Sequence, residues 1–277
     1  MQISIPNCKR FTGYKPCYPD HDCIKDGCKD NIPIGIKILI INLDAMGDVL
    51  MTTAQLPALK RKFPESTIYW ITDKNAVKLL YENQFIDKVF AYDSESISIL
   101  KEIEFDYAMN SDKSLRSCSL LNSINAKNKL GFGLNKDGKI IPVNEGALYN
   151  YQLGMNNKLK FRINQRTGQD YLAETFELND FYNRDEYIFN FTEEEIAYIE
   201  SYKKEVRLKD NDFVVGFNTG CSNLYPNKKM TIDQHVYIIE KLLETKKVKI
   251  ILFGGPEDTE RNEEIYSHFQ NKIINRV

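Results

Sequence analysis

IKILIINLDAMGDVLMTTAQLPALKRKFPESTIYWIT, residues 36–72, is the stretch whose reading decides the fold. It opens on a β-branched apolar run, Ile36 to Ile41, with no polar alternation, which predicts a strand buried on both faces. A polar turn holding Gly47 and Asp48 follows. Val49, Leu50, Thr53, Leu56, Leu59 and Phe63 then recur at helical spacing, and a second apolar run, Thr67 to Thr72, comes after Pro64. Strand, turn, helix, strand is one βαβ unit. In such units ligands and catalytic groups collect where the helix begins, at the carboxyl end of the first strand. Gly47 and Asp48 stand there. The glycine permits close backbone approach and the carboxylate suits a first helical turn, features that a plain turn and N-cap also have.

The alternation continues outward. Residues 75–82 read as a helix, 88–92 as a strand, 94–102 as a helix capped by Ser94, 105–110 as a strand, 114–124 as a helix and 129–132 as a strand. An open, mostly parallel α/β sheet with right-handed crossovers follows, and it brings every strand carboxyl end to one edge. That edge is expected to gather Asp48, Asn110, Asp112, Lys113 and Gly131 to Gly133. Asp137-Gly138 signals a turn. Residues 143–167 are Asn-rich and irregular, with helical hints at 147–153, and a connection of that length is often functional. A helix is expected over 169–178. Thr192 and Glu195 then form a capping box, opening a helix through Glu205 that leads into a second domain.

Composition narrows the class. With 277 residues, 27% charged and 42% hydrophobic, the chain suits one large or two modest globular domains. No run approaches the ~18 apolar residues of a membrane-spanning helix. The start, MQISIPNCKRF, lacks the apolar core of a signal peptide, so a cytoplasmic location is expected. The net charge of −2 hides an asymmetry: Asp112 to Arg166 holds ten Lys/Arg against three Asp/Glu, and Thr167 to Glu200 one Arg against ten acids. The basic stretch fits an anionic acceptor or lipid headgroups, or a solvated face balanced by the acidic one. No nucleic-acid partner is expected.

Residues 1–33 carry Cys8, Cys17, Cys23 and Cys28 among Pro, Gly, Asp and Lys, too little apolar content for a core. Four cysteines in a reducing compartment point toward a metal, and four thiolates would crosslink the segment as a knuckle. Structural zinc is the leading expectation. An iron–sulfur cluster, disulfides and free thiols remain open, as does replacement of one ligand by His21.

In the second half, residues 213–218 (FVVGFN) predict another buried strand. It runs into Thr219-Gly220-Cys221-Ser222-Asn223, then Tyr225-Pro226-Asn227-Lys228-Lys229-Met230. A helix over 232–244, a strand over 247–253 ending in Gly254-Gly255-Pro256-Glu257, a helix over 259–269 and a strand from Lys272 complete the chain. A Thr-Gly loop after a strand offers backbone N–H groups and a hydroxyl to phosphate oxygens, and a nearby lysine adds a mobile positive charge.

LDAMGDVLMTTAQLPALKRKFP resembles the opening of glycosyltransferase family 9, the heptosyltransferases that use ADP-heptose. FNTGCSNLYPNKKM and IILFGGPED are similar to that family's diphosphate and nucleotide segments, with Tyr225 and Met230 where tryptophan is usual. The Asn-x-Asp-Lys at Asn110 to Lys113, the Gly-Phe-Gly at Gly131 to Gly133 and the cysteine-rich leader also have counterparts there. The resemblance implies a GT-B-like α/β fold of two Rossmann-like parallel-sheet domains, the second incomplete in this chain. The expected division is a Cys-rich extension over 1–33, an acceptor-side domain over 34–195 and the first part of a donor domain over 196–277. It further implies an inverting transfer of heptose, or a related sugar, to a hydroxyl of a surface glycan, lipopolysaccharide or protein. Asp48 would be the base and Lys228 the group that neutralises the leaving diphosphate. Thr219, Gly220, Cys221, Gly254, Gly255 and Glu257 would hold the ADP-activated donor, while Gly47, Asp112 and Lys113 would face an anionic glycan or glycolipid acceptor. No catalytic metal is expected, and association with the inner membrane face would be peripheral. Two rivals stand beside this reading. One is a non-catalytic binding or scaffold protein of the same fold. The other, a nucleotide-dependent oxidoreductase, is disfavoured because LDAMGD stands where G-x-G-x-x-G would be needed.

Overall fold

β1 (Ile36–Ile41) is the central strand anticipated, and its side chains split between two cores. Ile38 and Ile40 enter one cluster with Leu56, Leu59, Trp70, Met109 and Phe176. Leu39 and Ile41 enter another with Tyr69, Ile71, Leu100, Ala108 and Leu121. A strand covered on both faces needs apolar residues on both, which is why its buried part, Ile38 to Ile41, shows no alternation. The computed structural model describes residues 3–19, 21–25, 27–28, 30–221 and 228–276. Ser222, Asn223, Tyr225, Pro226 and Asn227 lie outside the described residues.

The single helix expected after β1 is two: α1 (Met46–Thr52) and α2 (Leu56–Lys62), joined by a 3₁₀ turn over Thr53–Gln55. The break has a local cause. Pro57 lacks an N–H to continue the ladder, and the Thr52 and Thr53 hydroxyls donate back to the carbonyls of Asp48 and Leu50 at 2.8 and 2.6 Å. β2 (Ser66–Thr72) pairs parallel to β1, and β3 (Lys88–Ala91) pairs with β2. α3 (Ser94–Glu102) is capped by Asp93 rather than Ser94, because the Asp93 carboxylate accepts from Ser96 N at 2.8 Å. β4 (Phe105–Asn110), α4 (Leu115–Ser123) and β5 (Ala126–Leu134) follow. β6 (Ile140–Pro142) folds back antiparallel on β5 across the turn at Gly138, whose φ of +73° is a glycine conformation.

The sheet order is β3-β2-β1-β4-β5-β6, so the first five strands are parallel and the sixth is not. The chain reverses direction across the sheet between β1 and β4, where doubly wound sheets open a crevice at the strand carboxyl ends. The irregular stretch contains α5 (Leu148–Met155) and a π-helical turn over Leu159–Ile163, before α6 (Gly168–Thr175).

The described chain divides into two compact units, Met1–Phe191 and Thr192–Val277. The second holds α7 (Glu193–Glu205), with Thr192 and Glu195 in a reciprocal capping box. β7 (Val214–Asn218), α8 (Ile232–Thr245), β8 (Lys249–Phe253), α9 (Thr259–Phe269) and β9 (Ile274–Asn275) complete it, with parallel order β7-β8-β9. Its core joins Ile239, Ile250, Leu252, Ile265, Phe269 and Ile273. β7 departs from the buried strand expected of FVVGFN: Val214 is 42% exposed, because among the described residues β7 has a neighbour on one side only.

Candidate functional site

The carboxyl edge of the first sheet is assembled by carboxylates. Asn42 and Leu43, just past β1, are buried, and Asp112, just past β4, reaches across the crevice to both. One Asp112 oxygen accepts from Asn42 Nδ2 at 2.6 Å and the other from the Leu43 backbone N–H. Asp112 is only 9% exposed, and burial pushes its carboxyl up to about 6 against the pull of those two donors. Asn110 beneath it donates to the carbonyls of Asp112 and Phe132 at 3.1 and 2.7 Å, tying the β4 end to β5.

The loop so pinned delivers Gly47 and Asp48. Asp48 is exposed on the first turn of α1, and one of its oxygens accepts from Ala45 N at 3.3 Å. Tyr171 of α6 lies within its field: burial and then the Asp48 charge raise the phenol. Gly47 faces open space, with nothing within 4 Å of where a Cβ would stand. Lys113 turns toward the irregular stretch. Its ammonium donates to the Asn150 carbonyl and Oδ1 at 2.7 and 2.8 Å and lies 5.0 Å from the Phe132 ring centre. Desolvation, then the nearby Lys160, lowers it to about 8. Beyond it, Met155, Phe161 and Ile163 are exposed on the segment that carries Lys158, Lys160 and Arg162.

Reading the sequence missed the arginine that closes this edge. Arg116, in the first turn of α4, pairs with Asp44, bridges to Asp73 at 2.7 Å and lies 5.3 Å over the Tyr92 ring. One guanidinium thus joins the segments after β1, β2 and β3. The glycines after β4 serve packing rather than ligand approach: a Cβ on Gly131, at φ +96°, would sit 1.8 Å from the Asn110 carbonyl oxygen. A Cβ on Gly133 would meet Asn122 Oδ1 at 2.6 Å.

In the second unit, Thr219 is buried, and its hydroxyl is engaged with Asn262 and the Phe253 carbonyl. The side chain expected to reach a phosphate therefore fastens the end of β7 to β8 and α9. Gly220 makes room for the Asp258 carboxylate, whose oxygen lies 1.8 Å from an added Cβ, and Gly255 N donates to the same carboxylate at 3.1 Å. Asp258 is 3% exposed and pairs with Lys229 at 3.2 Å. Arg261 Nε donates to the Thr219 carbonyl at 3.1 Å. Lys228, Gly254 and Glu257 are exposed and Cys221 is half-buried. Asp258, Lys229 and Arg261 were missed although they stand beside residues singled out, since only the fold shows which neighbour turns inward.

Cys8 is buried, Cys23 and Cys28 are half-buried and Cys17 is exposed; all four are free thiols. Hydrogen bonds from the backbone of Ile32, opposed by burial and aided by Arg10 and Phe11, hold the Cys8 thiol below its ordinary value. Among the described residues no three His, Cys, Asp or Glu side chains stand together in an arrangement that holds a metal as they are. None of the described helices is long and apolar enough to cross a membrane.

No family model matches the chain. It is 22% identical over 211 residues to lipopolysaccharide heptosyltransferase 1 of Campylobacter coli, covering 71% of this chain. The chain spans 59% of the length of that curated relative. Among solved structures, the glycosyl transferase family 9 protein from Veillonella parvula superposes with a TM-score of 0.65 at 20% identity, over 87% of this chain and 69% of that one. ADP-heptose LPS heptosyltransferase II of E. coli superposes with a TM-score of 0.58 at 16% identity, over 87% and 72%. The fold is that of these GT-B glycosyltransferases.

Proposed function

We propose that this chain, built on the fold of the heptosyltransferases, takes part in inverting transfer of a heptose from an ADP-activated donor to a hydroxyl of an anionic surface glycan or lipopolysaccharide. The observation that carries the reading is the placement of Asp48: an exposed carboxylate on a loop that a buried carboxylate, Asp112, holds in place. A general base needs an accessible lone pair on a fixed scaffold, and this edge supplies both.

In the reaction the Asp48 carboxylate removes the proton of the acceptor hydroxyl. That oxygen forms its bond to the anomeric carbon from the face opposite the diphosphate. The bond between the anomeric carbon and the diphosphate oxygen breaks, and ADP departs with the electron pair. The Lys228 ammonium and the backbone N–H groups of Gly220 and Cys221 meet the charge that develops there. Thr219 acts indirectly, its hydroxyl holding the start of that loop against Asn262. Gly254, Gly255 and Glu257 line the donor side. Lys113 and the basic residues Lys158, Lys160 and Arg162 meet the anionic acceptor. The exposed Met155, Phe161 and Ile163 beside them fit a glycolipid presented at a membrane face.

The test is turnover with ADP-heptose and a lipopolysaccharide-core acceptor, beside calorimetric titration with ADP, UDP and GDP. Asp48→Asn is expected to lower transfer by about 10²–10⁴-fold, the range of a lost general base, while ADP binding stays within about twofold. Retained turnover in Asp48→Asn removes the base assignment. Absence of any nucleotide preference in the parent chain favours the non-catalytic binding protein instead.

A further inference from the structure

A cavity of about 330 Å³ lies inside the N-terminal segment, and Cys8, Cys17, Cys23 and Cys28 all line it, together with His21. Four thiols spread over twenty-one positions of sequence have been brought to the wall of one space. His21 adds a second signal. Its Nε2 is buried with no hydrogen-bond partner, a costly state for an imidazole nitrogen. Among the described residues, none before Ile38 belongs to any of the hydrophobic clusters. Yet the segment holds a defined place on the sheet. Lys9 N donates to the Ile32 carbonyl at 2.8 Å and Ile34 N to Asn7 Oδ1 at 3.2 Å, closing the loop on itself. Lys9 Nζ reaches the Ser66 carbonyl at 2.7 Å and Asp87 at 2.9 Å, latching it to the beginning of β2.

We propose that residues 3–34 fold around a single zinc ion held by the thiolates of Cys8, Cys17, Cys23 and Cys28. The four side chains do not stand at ligating separations as they are, so the ion draws them inward across the cavity to the ~2.3 Å of a zinc–sulfur bond. Each thiol gives its proton to water as it binds. Soft sulfur ligands and a closed set of four suit zinc in a structural role, with no position left for a substrate. The His21 imidazole then donates to one of the bound sulfurs, which satisfies the orphaned nitrogen. The site stands at the amino-terminal end of the first sheet, whereas Asp48 and Asp112 stand at the carboxyl end. The ion is therefore a crosslink for the N-terminal segment and not a reagent.

The full chain, purified under reducing conditions, is expected to contain one zinc ion by elemental analysis. Cobalt exchanged for it should show thiolate-to-metal charge transfer and the visible bands of a tetrahedral four-sulfur site. Thiol titration of the native zinc form should find Cys221 reactive and the four N-terminal thiols protected until a chelator is added. Cys23→Ser/Cys28→Ser should bind zinc at least about tenfold more weakly, whereas Cys221→Ser keeps it. Circular dichroism checks that the α/β domains of the double variant remain folded. Three results overturn the proposal: a folded, reduced chain that takes up neither zinc nor cobalt; disulfides among the four cysteines; or iron with the visible absorption of a sulfide cluster.

Discussion

Asp112 is a buried carboxylate, and its titration is a test of the site's construction. In the folded chain burial raises its carboxyl from 3.8 to about 6, equivalent to about 3 kcal/mol. Between those values the folded state holds the proton more firmly than the unfolded state. Stability from this group is fully present below about 4 and is lost as pH rises through 6. His235, in the second unit, acts the other way. Burial pushes its imidazole down, so its contribution is lost as pH falls below the ordinary histidine range. Comparing the parent with Asp112→Asn isolates the first effect. The stability difference should move in the parent's favour by about 2 kcal/mol between pH 7 and pH 4, measured by urea unfolding; a pH-independent difference would contradict the buried-carboxylate description. At this scale Gly47 and Asp48 were legible because their position follows from one local turn. Asp112 could be placed at the edge from the strand that precedes it, but not recognised as buried. Arg116 was not legible at all, since its partners Asp44 and Asp73 come from two other segments that only strand order brings together.

The elements themselves were the most legible part of the chain. β1, α3, β4 and α9 fall where periodicity puts them, because each carries its pattern within its own residues. Errors came where one local rule overrode another: proline and two threonine hydroxyls divided the helix after β1. The hairpin of β5 and β6 shows how a pair of glycines can be told apart. Gly131 and Gly138 both have positive φ, but only Gly131 has a carbonyl where its Cβ would go. Gly138→Ala should cost about 1–2 kcal/mol from backbone strain alone. Gly131→Ala adds a collision with β4 and should cost several kcal/mol more, as read by thermal or chemical unfolding. Equal losses at the two positions would mean that the β4–β5 contact is looser than described.

Among the described residues, the large unit has one core on each face of its sheet and a third, small cluster at Cys118, Phe132 and Ala147, and the smaller unit has a core of six buried residues. Apolar burial scales with unit size, so the two should not share one unfolding transition. Native-state hydrogen exchange should find amides of β7, β8 and α8 opening at lower free energy than those of β1 and β4, and identical opening energies would rule this out. The capping box at Thr192 and the renewed strand pattern beyond it were legible as elements, whereas the expected division at 195/196 with a separate 1–33 extension differs from the two units, which part at Phe191/Thr192. The antiparallel sixth strand and the exposure of β7 were not legible, because both depend on which neighbour a strand acquires. The latch of Lys9 on Ser66 and Asp87 sits one full strand length from Asp48 and its supporting carboxylate. Two ends of one rigid sheet can therefore diverge at separate tempos. Substitutions that retune the leader need not disturb the chemistry, and a lineage could shed or rebuild its cysteines while the loop at Gly47 and Asp48 stays under its own selection.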